Sequence, residues 1–359
     1  MRIVIDARLY SQTGVGRYIR QLISHLAKID RGNQYLIYLT SEDFSLFKPA
    51  PNFAKKLVNI RWHSLKEQLV LPLLLIKDRA NLVHFPYFSV PIFYPGRFLV
   101  TIHDLTIDHF DTGQASTRHL LIYKLKRRAY RWIIRRALNR AQKVIAVSQT
   151  TKKEIIEHYQ IKPQKIVVTY EAAELEKPLS KKTPPLIPPP YLLYVGNAYP
   201  HKNLTLFLKA NLDTKIVLVG KKDFFYQRLE KELTSSQKEK IILFGQANDQ
   251  QLSNLYQHAL AFIFPSLMEG FGLPGLEAMA CGLPVICSDI PVFREIYQEA
   301  ALYFEPDNAG DLALKVGRLL KDKKLYQDLQ KRGFQLVKKF SWHKMAQQTL
   351  KTYEDCLSL

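Results

Sequence analysis

Twice along this chain, short β-rich runs alternate with amphipathic helical ones, a repetition that leaves few architectures open. The first series reads RIVIDAR and then residues 17–29, YLIYLT, NLVHF, RFLVTIHD, a helical stretch over 120–139, KVIAVS, Thr150 to Tyr159 and KIVVTY. Such succession predicts parallel pairing, because a parallel neighbour needs a long crossover and a helix supplies it. After Tyr170 the pattern stops at EAAELEKPLSKKTPPLIPPP, rich in proline and lysine and without an apolar period, which reads as a linker over 171–190. The alternation resumes with YLLYVG, KIVLVG, KIILFG, LAFIFP and LPVICSD. The expected fold is therefore α/β, with two doubly wound, Rossmann-like domains over 1–170 and 191–340 and a cleft at the ends of their strands. In the tail, 341–359, Ser341 is a candidate N-cap, and Trp342, Met345, Ala346, Leu350 and Tyr353 form a helical stripe.

A chain of 359 residues suits two domains of ordinary size, and 47% hydrophobic residues can fill both cores. Its longest apolar candidate, Leu69 to Ile76 with Pro72 inside, falls short of the roughly 18–20 residues that span a bilayer. Met1 leads straight into a strand-like run, so a secretory signal is not expected and cytoplasmic residence is. Cys281, Cys287 and Cys356 make no C-x-x-C pair, which argues against zinc and a disulfide framework. An excess of 52 Lys and Arg over 32 Asp and Glu, formally +20, favours an anionic partner: nucleic acid, acidic lipid or anionic substrate.

The densest chemistry lies in FPSLMEGFGLPGLEAMACGLPVICSD, residues 264–289. Glu269 and Glu277 stand on either side of the turn Gly270-Phe271-Gly272-Leu273-Pro274, with Ala261 to Phe264 leading in. Pro274 is expected at the first position of a short helix that Gly282 ends, so backbone N–H groups would be offered to a phosphate. A glutamate on a helix is ordinarily solvated; the glycine and proline punctuation sets this pair apart.

This segment resembles the E-x7-E signature of retaining, nucleotide-sugar-dependent glycosyltransferases of family 4, which have the GT-B fold. The run GFGLPGLEAMACGLPV and the loop TGVGRY are similar to those of bacterial mannosyltransferases of polysaccharide or glycolipid assembly. The resemblance implies that Glu269 orients the sugar and stabilises charge. Gly270, Phe271 and Gly272 would give backbone N–H groups to the hexose, Leu273 one to a phosphate, and Glu277 would accept from ribose hydroxyls. In the loop from Tyr194 to Leu204, which holds Gly196, Asn197 and His201, Lys202 would neutralise the diphosphate. Many members carry Arg where Asn197 stands, which leaves His201, Arg294 and Arg8 as candidates for a second cation. Gly14 and Gly16, after Asp6, would approach the donor diphosphate or the acceptor; His103 would lie close to the donor sugar. Asp104 and Arg17 would face the acceptor, and Gln246, beside Gly245, the nucleobase. Arg20-Gln21 fall near the third glycine of a dinucleotide fingerprint, which disfavours a nicotinamide cofactor. The sequence has no D-x-D clamp beside an apolar strand, so no obligatory metal is expected. The expected donor is GDP-mannose, then UDP-glucose or UDP-N-acetylglucosamine, and the expected acceptor a glycan or lipid-linked glycan.

Residues Leu120 to Arg140 form a basic amphipathic pattern, with Lys124, Arg127, Arg128, Arg131 and Arg135 on one stripe and Ile122, Leu125, Ala129, Ile133 and Ala137 on another. Such a helix either shows its charges to water or holds the enzyme peripherally on the anionic inner face of a membrane. Two other function classes are weighed. Nucleic-acid binding lacks an RRM, zinc-finger or homeodomain pattern and is not expected. An idle sugar-nucleotide-binding scaffold is at odds with an intact Glu269, Lys202 and Glu277.

Overall fold

Apolar runs three to six residues long become strands buried on both faces, the condition that removes polar alternation from a parallel sheet. The structure, a computed structural model, describes residues 1–110, 120–173 and 183–358, and for 120–127 the backbone alone. It divides into two compact units. One holds the described residues of 1–105, 118–171 and 341–359; the other holds those of 106–117 and 172–340. Part of the proline-rich stretch, 174–182, lies outside the described residues.

The first unit contains β1 (Arg2–Asp6), β2 (Gln34–Leu39), β3 (Phe53–Leu57), β4 (Leu82–Phe85), β5 (Phe98–Ile102), β6 (Val144–Ala146) and β7 (Ile166–Val168). Their order is β3-β2-β1-β4-β5-β6-β7, all parallel, with Ile3 opposite Tyr35 on one side and Leu82 on the other. The second contains β8 (Tyr191–Val195), β9 (Lys215–Val219), β10 (Ile241–Gly245), β11 (Ala261–Phe264), β12 (Val285–Ser288) and β13 (Ala301–Phe304). These run β10-β9-β8-β11-β12-β13, again all parallel. Each sheet reverses direction of growth once, between β1 and β4 and between β8 and β11. Loops leaving the carboxyl ends of those pairs diverge, and the crevice they leave is where such sheets hold ligands.

The final helix, Trp342–Leu357, packs on the helix Gly14–Ile29 and on β4 of the first unit. Ser341 caps it by accepting from Lys344 N–H. Its inward stripe departs from the expected one: Leu350 is half-buried, whereas Thr349 and Thr352 are inside. Their hydroxyls donate to the carbonyls of Met345 (2.9 Å) and Gln348 (2.8 Å), one turn back, so neither is left unsatisfied.

The helix Leu120–Arg140 forms over the expected range. Its buried side carries Ile134, Ala137 and Leu138, while Ala129, expected on the apolar stripe, is exposed and Ile133 half-buried. The packed face is turned from the expected one, with Ile134 and Leu138 joining Ala137 in the core. Side chains of Ile122, Lys124, Leu125 and Arg127 lie outside the described residues. Cys281, Cys287 and Cys356 are unpaired by disulfides; Cys281 is half-exposed, though burial still pushes its thiol up to about 12.

Candidate active site

At the reversal point of the second sheet, β8 ends at Val195 and is followed by Gly196, whose φ of 155° and close neighbour Tyr194 leave no room for a side chain. The Tyr194 hydroxyl would lie 2.6 Å from an added Cβ; it donates instead to the carbonyl of Asn197 at 2.7 Å. The chain then makes a 3-10 turn, Pro200–Lys202, stopped by Asn203 in the left-handed region. This tight turn aims Lys202 at the neighbouring strand's loop. Its Nζ lies 2.5 Å from Glu269 Oε1, with both side chains almost buried. His201 is buried and its carbonyl accepts from Leu267 N–H, which ties the two loops together.

Glu269 is held from a second side. Ser266 Oγ donates to the same Oε1 at 2.7 Å. Both contacts fall on one oxygen, and among the described residues no hydrogen bond to Oε2 is made. A fixed carboxylate with one oxygen presented is suited to accepting from a hydroxyl.

Past Glu269, Gly270 and Phe271 are buried, the Phe271 ring packing edge-on against Phe340 at 5.6 Å. Gly272 follows with φ 92° and ψ 43° and opens the helix Leu273–Ala280. Only glycine suits it, because of the positive φ and because an added Cβ would strike the Tyr297 hydroxyl. That hydroxyl donates to the Gly272 carbonyl at 2.5 Å. Pro274 takes the second helical position, not the expected first, since Leu273 already has helical geometry. The helix ends as expected at Gly282, φ 73°, with Gly282 N–H on Met279 O (3.0 Å) and Leu283 N–H on Ala278 O (2.9 Å), a Schellman closure. Glu277, the fifth residue of the helix, is buried and accepts from the Tyr256 hydroxyl at 3.1 Å. At the far side of the sheet Gly245, φ 89°, faces open space, and Gln246 beside it is exposed.

The first unit repeats the logic with different groups. Asp6 ends β1, and Gly14 at the start of the next helix faces open space. Gly16 does not: a Cβ there would lie 2.5 Å from the Tyr10 carbonyl oxygen and 2.8 Å from that of Leu9. Its smallness lets the helix rest on the preceding loop. Arg17 and Asp104 are half-exposed.

His103, just past β5, is buried with both ring nitrogens engaged. Nδ1 lies 3.0 Å from Glu171 Oε1 and Nε2 3.0 Å from the Pro86 carbonyl oxygen, while the Tyr18 ring stands edge-on at 4.9 Å. Both ring nitrogens thus face oxygens that can accept, an arrangement that favours a ring donating from both. Burial works against the charge of such a ring, but the hydrogen bond and attraction of Glu171 outweigh it and the His103 pKa is raised. Farther in, His84 bridges the Tyr353 hydroxyl (2.6 Å) and Thr101 Oγ1 (2.8 Å), and burial depresses its pKa to about 3.

Two of the three candidate second cations are already paired. Arg8 is buried, bidentate to Asp6 at 2.7 and 2.6 Å, and bonded to Glu67 (2.7 Å) and the Ile60 carbonyl (2.9 Å). Burial opposes its charge, yet the two carboxylates raise its pKa on balance. Arg294 makes a bidentate pair with Asp289, both bonds 2.6 Å, and stacks on Tyr303 at 3.7 Å. Arg8 is enclosed by these bonds, whereas the half-exposed Arg294 keeps three N–H donors beyond its pair with Asp289. Glu171, Ser266, Tyr256 and Tyr297 were not singled out from the sequence. A carboxylate directly after the last strand of the first domain was the one available sign for Glu171; a lone Ser or Tyr gives none.

Comparison with known proteins follows the same division. Residues 12–177 match the model of Glycosyltransferase Family 4, and residues 176–336 that of Glycosyl transferases group 1. The O-antigen chain mannosyltransferase RfbU of Salmonella typhimurium is 29% identical over 252 residues, covering 69% of this chain and 67% of that protein. The O-antigen chain mannosyltransferase B of Escherichia coli is 26% identical, covering 96% of this chain and 97% of its own. Among solved structures, a sucrose-phosphate synthase from Thermosynechococcus elongatus superposes with a TM-score of 0.79 at 21% identity, covering 100% of this chain and 99% of that one. The Anabaena protein HepE, in complex with UDP and glucose, gives 0.76 at 15% identity over 99% and 100%.

Proposed function

Because this chain is a family 4 glycosyltransferase of the GT-B fold, we propose that it moves mannose from GDP-mannose to a glycan or lipid-linked acceptor with retention of anomeric configuration. The observation that carries this reading is the Lys202–Glu269 pair at the sheet's reversal point, one cation and one carboxylate oriented on adjacent loops. Lys202 has three N–H donors and gives one to Glu269; the others are directed to the donor's β-phosphate. As the bond from the anomeric carbon to the phosphate oxygen breaks, its electron pair leaves with the nucleoside diphosphate, and Lys202 with the backbone N–H groups of the Gly272 turn neutralises the growing charge. The acceptor hydroxyl attacks from the same face, and its proton passes to the departing phosphate oxygen. Glu269 holds the sugar's hydroxyls and stabilises the oxocarbenium character of the transferring carbon.

Glu277 takes the ribose hydroxyls in this reading, with Tyr256 fixing the carboxylate. Gly270, Phe271 and Gly272 supply backbone contacts to the hexose, Leu273 to a phosphate, and Gly196, Asn197, His201, Gly14 and Gln246 complete the donor site. Arg294 and His201 remain the candidates for a second donor group beside Lys202, Arg8 being enclosed by Asp6 and Glu67. His103 lies near the sugar, and Asp104 and Arg17 face the acceptor. UDP-glucose and UDP-N-acetylglucosamine are the alternative donors. The helix Leu120–Arg140, with Arg128, Arg131, Arg135 and Arg136 exposed, supports peripheral attachment to an anionic leaflet. Incubation with GDP-mannose, UDP-glucose and UDP-N-acetylglucosamine, followed by quantitation of released nucleoside diphosphate, tests the donor. Release from UDP sugars alone would discard mannose, and no release from any would discard the catalytic reading.

A further inference from the structure

The helix Leu65–Lys77 wears its apolar side outward. Leu65 is 82% exposed, Leu69 62%, Leu73 65%, Ile76 51% and Val70 40%, a run at i, i+4, i+8 and i+11 with Val70 alongside. The opposite face is pinned to the first unit by Leu71, Pro72 and Leu75 in the core and by Glu67, which bonds Arg8 and the Ser89 hydroxyl. Exposed apolar residues scattered singly need no explanation; five on one 13-residue helix do. Folding here has left the greasier stripe in water, the reverse of an ordinary surface helix.

The surroundings say what covers it. Gln68 bonds Val90 O and Ile92 N–H, so the loop bearing Phe93, 64% exposed, lies against the same helix. His63, just before the helix, packs its ring 4.4 Å from that of Tyr130 on Leu120–Arg140, and Arg140 donates to Ile92 O. That second helix contributes Trp132, 53% exposed, among Arg128, Arg131, Arg135 and Arg136. Lys66, Lys77 and Arg79 are exposed beside the stripe itself. Apolar side chains ringed by cations, with tryptophan at the margin and no exposed carboxylate on the helix, complement an anionic lipid surface. A second copy of this chain, formally +20, would be repelled by the ring of cations. The helix, about 20 Å long, is too short to span a bilayer, and no described helix is long and apolar enough to do so.

We propose that Leu65–Lys77 lies in the plane of an anionic leaflet and inserts Leu65, Leu69, Leu73 and Ile76 among the acyl chains, while the cations of Leu120–Arg140 bind the headgroups. This rests on the peripheral attachment suggested above and adds an apolar anchor to it. Attraction of the arginines is screened by salt, whereas insertion is not, so the two parts separate by ionic strength.

The test is co-sedimentation of the full chain with vesicles of phosphatidylglycerol and phosphatidylcholine at low and at roughly half-molar salt, for the wild type, Leu69→Asp/Leu73→Asp and Arg128→Glu/Arg135→Glu. Both altered faces are exposed, so melting by circular dichroism should be unchanged and confirms folding. Expected is wild-type binding that partly survives high salt, and a loss of about tenfold or more at both salts in the leucine variant. Wild-type binding equalled by the leucine variant would overturn insertion and leave electrostatic attachment standing. No wild-type binding at either salt would overturn both. A wild-type dimer in analytical ultracentrifugation, made monomeric by the leucine substitutions, would make the stripe a protein interface and overturn insertion as well.

Discussion

Lys202 Nζ lies 2.5 Å from Glu269 Oε1 although 67 residues separate them, because β8 and β11 are neighbours and each side chain sits on the loop leaving its strand. The pair is nearly dry, so each member sets the other's position. Lys202→Ala should lower kcat/KM for the nucleotide sugar by about 10²–10³. Glu269→Gln should lower kcat by about 10² with KM changed little. Steady-state kinetics of both and of the double variant check this; coupling must make the double loss smaller than the product. Strictly multiplicative effects would show that the contact has no part in turnover.

Glu277 is expected to act in donor binding. Glu277→Gln should raise the donor KM about 10–100-fold, the worth of charged hydrogen bonds to two hydroxyls, and leave kcat within a few-fold. A donor lacking the ribose 2′- and 3′-hydroxyls is the control. It should be used equally poorly by the wild type and the variant, and a variant that still discriminates would move the ribose elsewhere.

At Gly272 two constraints coincide, the left-handed backbone and the Tyr297 hydroxyl. Gly272→Ala should cost about 2–4 kcal/mol of stability in denaturant titration. Adding Tyr297→Phe should recover only the steric share, since φ remains 92°. Full recovery would mean that backbone strain counts for nothing there.

The His103–Glu171 pair predicts a pH dependence with a definite sign. The folded pKa of His103 is raised above 6.5, so its stabilisation is fully present below that value and is lost as pH rises through the folded pKa. His84, depressed to about 3, acts oppositely and costs stability as pH falls below about 6.5. The difference in urea midpoint between wild type and Glu171→Gln cancels His84. It should be greatest between about pH 5 and 6.5 and shrink above that. A difference that grows with pH would mean that His103 is neutral in the folded protein.

Local signals carried the reading of the glycine-punctuated loop before the helix Leu273–Ala280. Gly272 and Gly282 mark the two ends of one helix, Pro274 lies in its first turn, and Glu277 follows four residues after Leu273. All of this is short-range geometry, which residue order fixes. The same locality misled where a residue's neighbours come from afar. Arg8 read as a spare cation, but Glu67, on a helix 59 residues later, claims it.

By itself the sequence determined the alternation of strand and helix, hence parallel sheets of the doubly wound kind, and the family to which the punctuated glutamate segment belongs. Tertiary structure alone decided which charges meet and which apolar faces are covered. Leu69 to Ile76 illustrates the limit: its composition suits a core, yet Leu71 and Leu75 are inside while Leu69 and Leu73 face water. The rotation of a helix about its axis is settled by what packs against it, here Arg8 drawing Glu67 inward, and that partner lies on another element.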